Sequence, residues 1–257
     1  PLFVIGRGEL SLQLTSRDYR DAFTEFHVGG KYTTELSRHS RTSLRLDWGR
    51  VEPSVNEPGY SRYSVAVGFA HRNVTDTLNP ARGWRLSGDI AFVYRRYSAL
   101  SEAVGLQVVT ETRNRLTAEY YQPVRGRLVS HVKLTWLGYE TDQNLAPLSE
   151  MYLLGGPGSL RGYRNEQFPA QRAALATFEP RWRFADGFLF GFYDAAYLNR
   201  RVLSPDSTVH LSERYRDSYG FGFGLVSGAR RVVVSLGWGR ESAFDQPRLS
   251  IAFSSDL

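Results

Sequence analysis

The sequence predicts an all-β chain, an antiparallel transmembrane β-barrel of about twelve strands, and three observations carry that prediction. Apolar and polar residues alternate with period two almost throughout, the pattern of a sheet whose two faces meet different surroundings. Hydrophobic residues make up 42% and aromatics 14%, yet no apolar run approaches the roughly 18 residues of a membrane helix, so any span is built from strands. Charged and small residues oppose the apolar stripes, as a water-filled interior allows and a buried sandwich core does not.

The alternation is clearest late in the chain. Tyr219, Phe221, Phe223 and Leu225 interleave with Ser218, Gly220, Gly222 and Gly224; Val232, Val234, Leu236 and Trp238 interleave with Val233, Ser235, Gly237 and Gly239. Earlier, Trp84, Leu86, Gly88, Ile90, Phe92 and Tyr94 oppose Arg85, Ser87, Asp89, Ala91, Val93 and Arg95. Lipid cannot satisfy backbone polar groups, so such a sheet must close and bond internally.

In order, strands are expected at 3–15, 20–35, 41–52, 60–74, 83–96, 105–122 and 126–139. After a long loop come 171–184, 187–200, 215–228, 231–240 and 247–254. An even number returns the C-terminus to the side where the N-terminus began, which in an outer-membrane barrel is the periplasm. The segments 37–40, 76–83, 123–126, 185–187 and 227–230 then read as periplasmic turns, and 53–59, 97–104, 140–170, 201–214 and 241–246 as outer loops. Residues 1–257 read as one barrel domain, with the loop at about 140–170 as the place to look for function, because long loops in compact domains usually carry it.

Composition removes other classes. Lys plus Arg exceed Asp plus Glu by 32 to 26, but only Lys31 and Lys133 are lysines, and the arginines are scattered along the strands with no basic tail, so no nucleic-acid partner is expected. The chain has no cysteine, which excludes disulfide frameworks and cysteine metal sites. His27, His39, His71 and His131 are isolated and not spaced as ligands, so neither metal nor cofactor is expected. Pro1 to Leu14 lacks the features of a signal peptide, so the chain reads as mature or as cut from something longer. Asn73-Val74-Thr75 is a glycosylation sequon without meaning in a bacterial outer membrane.

The loop contains Met151-Tyr152-Leu153-Leu154-Gly155-Gly156-Pro157-Gly158-Ser159-Leu160-Arg161-Gly162-Tyr163. Glycines let such a backbone turn sharply and approach a wall closely, and a guanidinium inside a narrow barrel must find carboxylates. Glu179 shares a strand face with Thr177 and Arg181, opposite Phe178 and Trp182, and points inward on that reading. Asp194 lies on the next strand, where strict alternation puts Phe188, Phe190 and Phe192 on its face; either those rings fill the interior or a bulge resets the face. A second segment, Asp76-Thr77-Leu78-Asn79-Pro80-Ala81-Arg82-Gly83, is by itself an ordinary turn signal.

These segments resemble the bacterial surface antigen family, the barrel superfamily of outer-membrane protein assembly factors and two-partner-secretion transporters. The family's returning loop ends in aliphatic, Arg, Gly, aromatic, which Leu160, Arg161, Gly162 and Tyr163 match, with Gly155, Gly156 and Gly158 ahead of them. The resemblance implies that Arg161 pairs with Asp194 and Glu179, and that Asn79, Pro80 and Gly83 form the family's periplasmic turn. Five strands follow the loop, as in the family, but only seven precede it where typical members have eleven. The chain is therefore either a twelve-stranded relative or part of a sixteen-stranded barrel.

The resemblance further implies an outer-membrane, non-enzymatic barrel that inserts or translocates proteins. Its partners would be membrane lipid, client outer-membrane or secreted proteins, and periplasmic modules ahead of Pro1. The alternatives are an anchor or export conduit for an N-terminal enzyme such as a patatin-like lipase, and a passive pore. His210-Leu211-Ser212 has the spacing of a barrel phospholipase's His and Ser, but in an expected outer loop beside Pro205, so catalysis is not assigned to it.

Overall fold

Period-two alternation becomes ladder pairing along almost the whole chain in the computed structural model, which describes residues 2–5, 8–19, 22–53, 58–98, 108–243 and 245–255. Fifteen strands are present among them: β1 (Leu2–Ile5), β2 (Gly8–Tyr19), β3 (Phe23–Ser37), β4 (Ser40–Pro53), β5 (Tyr60–Val74), β6 (Gly83–Tyr97), β7 (Val108–Arg125), β8 (Leu128–Thr141), β9 (Tyr152–Leu154), β10 (Phe168–Ala170), β11 (Arg172–Phe184), β12 (Gly187–Leu203), β13 (Val209–Ser227), β14 (Arg230–Gly239) and β15 (Arg248–Ser255). Thirteen form one sheet in chain order, with β8 beside β11, while β9 and β10 pair with each other inside the long loop.

The twelve long strands are those expected, with two corrections to their ends. The strand expected over 3–15 is two: β1 folds back on β2, Ile5 opposite Gly8, and β2 continues to Tyr19. The loop expected over 201–214 shrinks to 204–208, because the ladder between β12 and β13 runs on through Val202 opposite His210 and Leu203 opposite Val209. The Asp206 carboxylate accepts from the Thr208 amide and hydroxyl and closes that turn. His210 and Ser212 therefore lie on a strand, and the Ser204 hydroxyl is 2.7 Å from His210 Nδ1. Most of the loop expected near 97–104, the start of the strand expected at 105, residues 54–57 of the 53–59 loop, Phe244 of the 241–246 loop and the last two residues lie outside the described residues.

The faces are inverted relative to a water-soluble protein. On β11 the rings of Phe178 and Trp182 are exposed while Glu179 and Arg181 are buried; on β6 Phe92 and Tyr94 are exposed while Arg95 is buried. Phe221 on β13 is 56% exposed and Phe253 on β15 is 77%. An apolar face left open and a charged face shut away is what lipid outside and polar contacts inside require.

The chain divides into two units. The first comprises Pro1–His71, Ser87–Arg115 and Gly138–Glu150. Its charged face carries Asp47, which receives the Ser64 hydroxyl at 3.0 Å and lies 3.0 Å from Arg45 Nε and 3.2 Å from His27 Nε2. A cavity of about 450 Å³ opens among Lys31, Thr33, Arg41, Arg45, Ser87 and Asp89.

The second unit comprises Arg72–Leu86, Leu116–Leu137 and Met151–Leu257. Here the charged face is filled. Phe188, Phe190 and Phe192 stand opposite Gly224, Gly222 and Gly220, and a Cβ built on any of these glycines would lie within 2.7 Å of the facing ring. The rings thus take the interior alternative: they share the face of Asp194 in an unbroken register, without a bulge. The aromatic and glycine columns are complementary in shape, and the rings could not lie there if the facing positions carried side chains.

Phe221→Arg, on the exposed face, is expected to cost about 2–4 kcal/mol, whereas Thr33→Asp, beside the cations of the cavity, is expected to cost about 0.5 kcal/mol or less. Urea unfolding in lipid bilayers measures both; equal costs would refute the assignment of faces.

Candidate functional site

The site begins with a backbone that only glycine permits. After β9, Gly155 (φ 122°) and Gly156 (φ 82°) turn the chain back. The Gly155 amide donates to the Ser159 hydroxyl at 2.7 Å and the Gly156 amide to the Leu160 carbonyl at 3.0 Å. Gly158 sits exposed at the tip with open space around its Cα, so its place in the motif answers no steric demand. Gly162 does (φ 87°): a Cβ there would lie 2.6 Å from the Trp238 carbonyl carbon and 2.7 Å from the Gly239 nitrogen. Bare backbone meets bare backbone, and the loop lies flat on β14.

That approach sets the side chains on either side. Leu160, 0% exposed, enters an apolar cluster with Leu137, Leu154, Phe168, Ala173 and Leu198. The Tyr163 ring covers Gly239 and packs edge-on against Phe168, and its hydroxyl donates to the Asp217 carbonyl at 2.9 Å. Between them Arg161 points at β11 and β12. Nε and Nη2 donate to the two oxygens of Asp194 at 2.8 and 2.7 Å, the Arg161 amide donates to the same carboxylate at 3.2 Å, and Nη1 donates to Glu179 at 2.6 Å. The guanidinium lies 3.7 Å from the centroid of the Phe192 ring. Burial works against its charge, but the Asp194 hydrogen bonds and the Glu179 carboxylate outweigh it, and the pKa is raised.

The structure thus brings together Arg161, Glu179 and Asp194, and it supplies partners that the sequence did not single out. Thr177, directly opposite Asp194 in the ladder, donates to it at 2.9 Å. Arg181 Nε donates to Glu179 at 2.8 Å, and its guanidinium lies 4.7 Å from the Phe188 centroid. His131 on β8 is stacked on Tyr121 (4.4 Å, 8°), with Nδ1 3.1 Å from Glu179. Each falls on the inward phase of its strand's alternation, the one signal that could have found it. Among the described residues no cluster of His, Asp and Glu could hold a metal ion.

The turn between β5 and β6 is tied from inside as well. Asp76 accepts the Leu78 and Asn79 amides, Thr75 accepts those of Ala81 and Arg82, and Gly83 (φ 117°) leads into β6 against the Asn73 carbonyl. Asn79 and Pro80 are buried. The Asn79 amide group donates to the Gly187 carbonyl at 3.1 Å. Three successive carbonyls each accept from a different arginine: Thr77 from Arg85, Leu78 from Arg231 at 3.0 Å, and Asn79 from Arg183 at 2.7 Å.

Residues 10–254 match the Omp85 superfamily domain. The chain belongs to the Omp85 superfamily. Among solved structures it is similar to BamA from Haemophilus ducreyi lacking POTRA domains 1–3, at 13% identity and TM-score 0.64, covering 96% of this chain and 57% of that one. CdiB from Acinetobacter baumannii aligns at 11% identity and TM-score 0.49, covering 96% and 53%, and the translocator domain of the autotransporter NalP from Neisseria meningitidis at 10% and 0.37, covering 96% and 84%. The chain spans little more than half the length of the first two. No curated protein matches by sequence. The Omp85 match and the BamA-like fold make the chain an outer-membrane β-barrel, the fold class that its alternation led one to expect and the family that its loop and turn motifs resembled.

Two substitutions separate the glycines: Gly162→Ala is expected to cost about 1–3 kcal/mol or more through strain and overlap, and Gly158→Ala about 0.5 kcal/mol or less. The temperature at which the folded, fast-migrating form is lost on electrophoresis reads both. Asn79→Ala, which leaves the Gly187 carbonyl and Arg183 Nε without their partner, is expected to cost about 1–3 kcal/mol on the same measure.

Proposed function

We propose that this barrel inserts or translocates proteins at the outer membrane, and that Arg161 clamps the 140–170 loop to the barrel wall while it does so. On this reading residues 1–257 act as one barrel with the loop folded into its lumen. The protein does no covalent chemistry. Its partners are lipid, client outer-membrane or secreted proteins, and periplasmic modules ahead of Pro1.

One observation carries the clamp: a loop guanidinium gives hydrogen bonds to carboxylates on two adjacent strands, Glu179 and Asp194, in a buried setting. A bidentate pair fixes direction as well as position. Removing one partner of such a pair leaves the other buried and unpaired, at a cost of about 3–5 kcal/mol. The loop therefore holds one path across β11 and β12 while clients pass or insert, and superfamily membership supports the protein-handling role.

Arg161→Ala and Asp194→Arg are each expected to abolish client insertion or translocation in reconstituted liposomes, and Arg161→Asp with Asp194→Arg to restore part of it. Single-channel conductance of the same samples distinguishes a protein-handling barrel from a passive pore. Full activity and unchanged heat-resistant migration in every variant would sink the clamp.

A further inference from the structure

Eleven residues before Arg161, the same loop buries a charge of the opposite sign. Glu150 ends a short 3-10 turn at Leu148–Glu150 and is 0% exposed. Its carboxylate accepts the Tyr60 hydroxyl from β5 at 2.5 Å, and Arg62 Nη1 from the same strand lies 3.2 Å from Oε2. Arg113 of β7 donates to Oε2 as well. The Tyr60 oxygen is also 2.7 Å from the hydroxyl of Ser149, the neighbouring loop residue.

These wall residues are held in turn. Arg62 Nη2 is 2.5 Å from Glu25, Arg95 pairs with Glu111, and the Tyr139 hydroxyl donates to Glu111 at 2.6 Å. Arg95 also lies 5.1 Å from the Tyr60 ring centroid. Three guanidiniums, of Arg62, Arg95 and Arg113, thus meet three carboxylates, of Glu25, Glu111 and Glu150, and only Glu150 belongs to the loop. Without it two carboxylates would face three cations, Arg95 buried and Arg62 and Arg113 half-buried. Such an arrangement is built around the loop's carboxylate, since an unpaired buried charge is far costlier than a paired one. Burial alone would raise the Glu150 carboxyl; Arg113, Arg62 and Arg95 overcome that and hold it down to about 2, so it stays ionised at any physiological pH.

We infer that Glu150 is a second anchor of the loop, a positioning residue that docks the limb before β9 into a basic socket of Tyr60, Arg62 and Arg113, independently of Arg161. The loop then carries its own anion to a cationic wall and its own cation to an anionic wall. Opposite polarities forbid the two limbs from exchanging places, because each would meet a wall of its own sign. The inference rests on the loop being held to the barrel wall, and it divides that attachment into two parts that can be released separately.

The absence of cysteine lets single reporters be placed on each limb. Ala146→Cys reports the limb before β9 and Leu160→Cys the limb after it; both positions are buried. Each is combined with Glu150→Gln or Arg161→Ala, and maleimide labelling is timed on the protein in bilayers. In Glu150→Gln the Ala146 reporter is expected to label at least about tenfold faster while the Leu160 reporter stays protected, and in Arg161→Ala the reverse, as for two separately opening segments.

An Ala146 reporter still protected in Glu150→Gln overturns the inference, as do two reporters that open together in either variant. Should Glu150→Gln fail to give folded barrel, Tyr60→Phe removes the hydroxyl's hydrogen bonds to Glu150 and Ser149 and no charge; a several-fold rise at the Ala146 reporter supports the second anchor, and no rise overturns it. The Leu160 reporter in Arg161→Ala tests the clamp itself, so the two readings fail by different signals.

Discussion

The charged side chains that form the ion-pair clusters, among them Arg95, Glu111, Glu179, Arg181 and Asp194, are shut away on one face of the sheet, and much of the structure follows from that confinement. Strands that cross lipid must turn apolar groups outward and satisfy their polar groups on the other side. Arginines and carboxylates from neighbouring strands are thereby pressed into a space where water is scarce, and they must neutralise one another locally. Arg62, Arg95 and Arg113 meet Glu25, Glu111 and Glu150 in one unit; Arg161 and Arg181 meet Glu179 and Asp194 in the other. The net charge of +6 gives little hint of this, because the balance is kept within each cluster rather than along the chain.

Aromatic rings on the same face have a different task. Phe188, Phe190 and Phe192 would be misplaced in a water-filled interior, yet they form a platform on which the Arg161 and Arg181 guanidiniums rest. Their flat faces stabilise cations that the carboxylates alone would hold less rigidly. The glycines of β13 give them room, and those of β14 receive the loop backbone. Loop, rings and bare strands interlock as one packed layer.

Much of this was legible beforehand, for particular reasons. Period two is local, so strand positions and faces could be read directly, down to Glu179 inward and Trp182 outward. The glycine-rich loop with Arg161 marked one end of the ion-pair site, and its carboxylates lay on the inward phase downstream. What escaped were partners far apart in sequence. Nothing near Glu150 announces that Tyr60 and Arg113 wait for it, and nothing near His131 points to Glu179. Alternation says that a side chain faces inward; only the fold says whom it meets there. The ends of β12 and β13 escaped for the opposite reason, since charged residues read as loop although the ladder continued through them.

The turn between β5 and β6 shows how such contacts can be indifferent to side-chain identity. Arg85, Arg231 and Arg183 take hold of the backbone oxygens of Thr77, Leu78 and Asn79. A carbonyl is the same on every residue, so Arg85 and Arg231 gauge the course of the main chain and not the letters written along it. Asn79, whose amide reaches Gly187 and whose side-chain oxygen accepts Arg183 Nε, adds a chemical signature to that geometric lock.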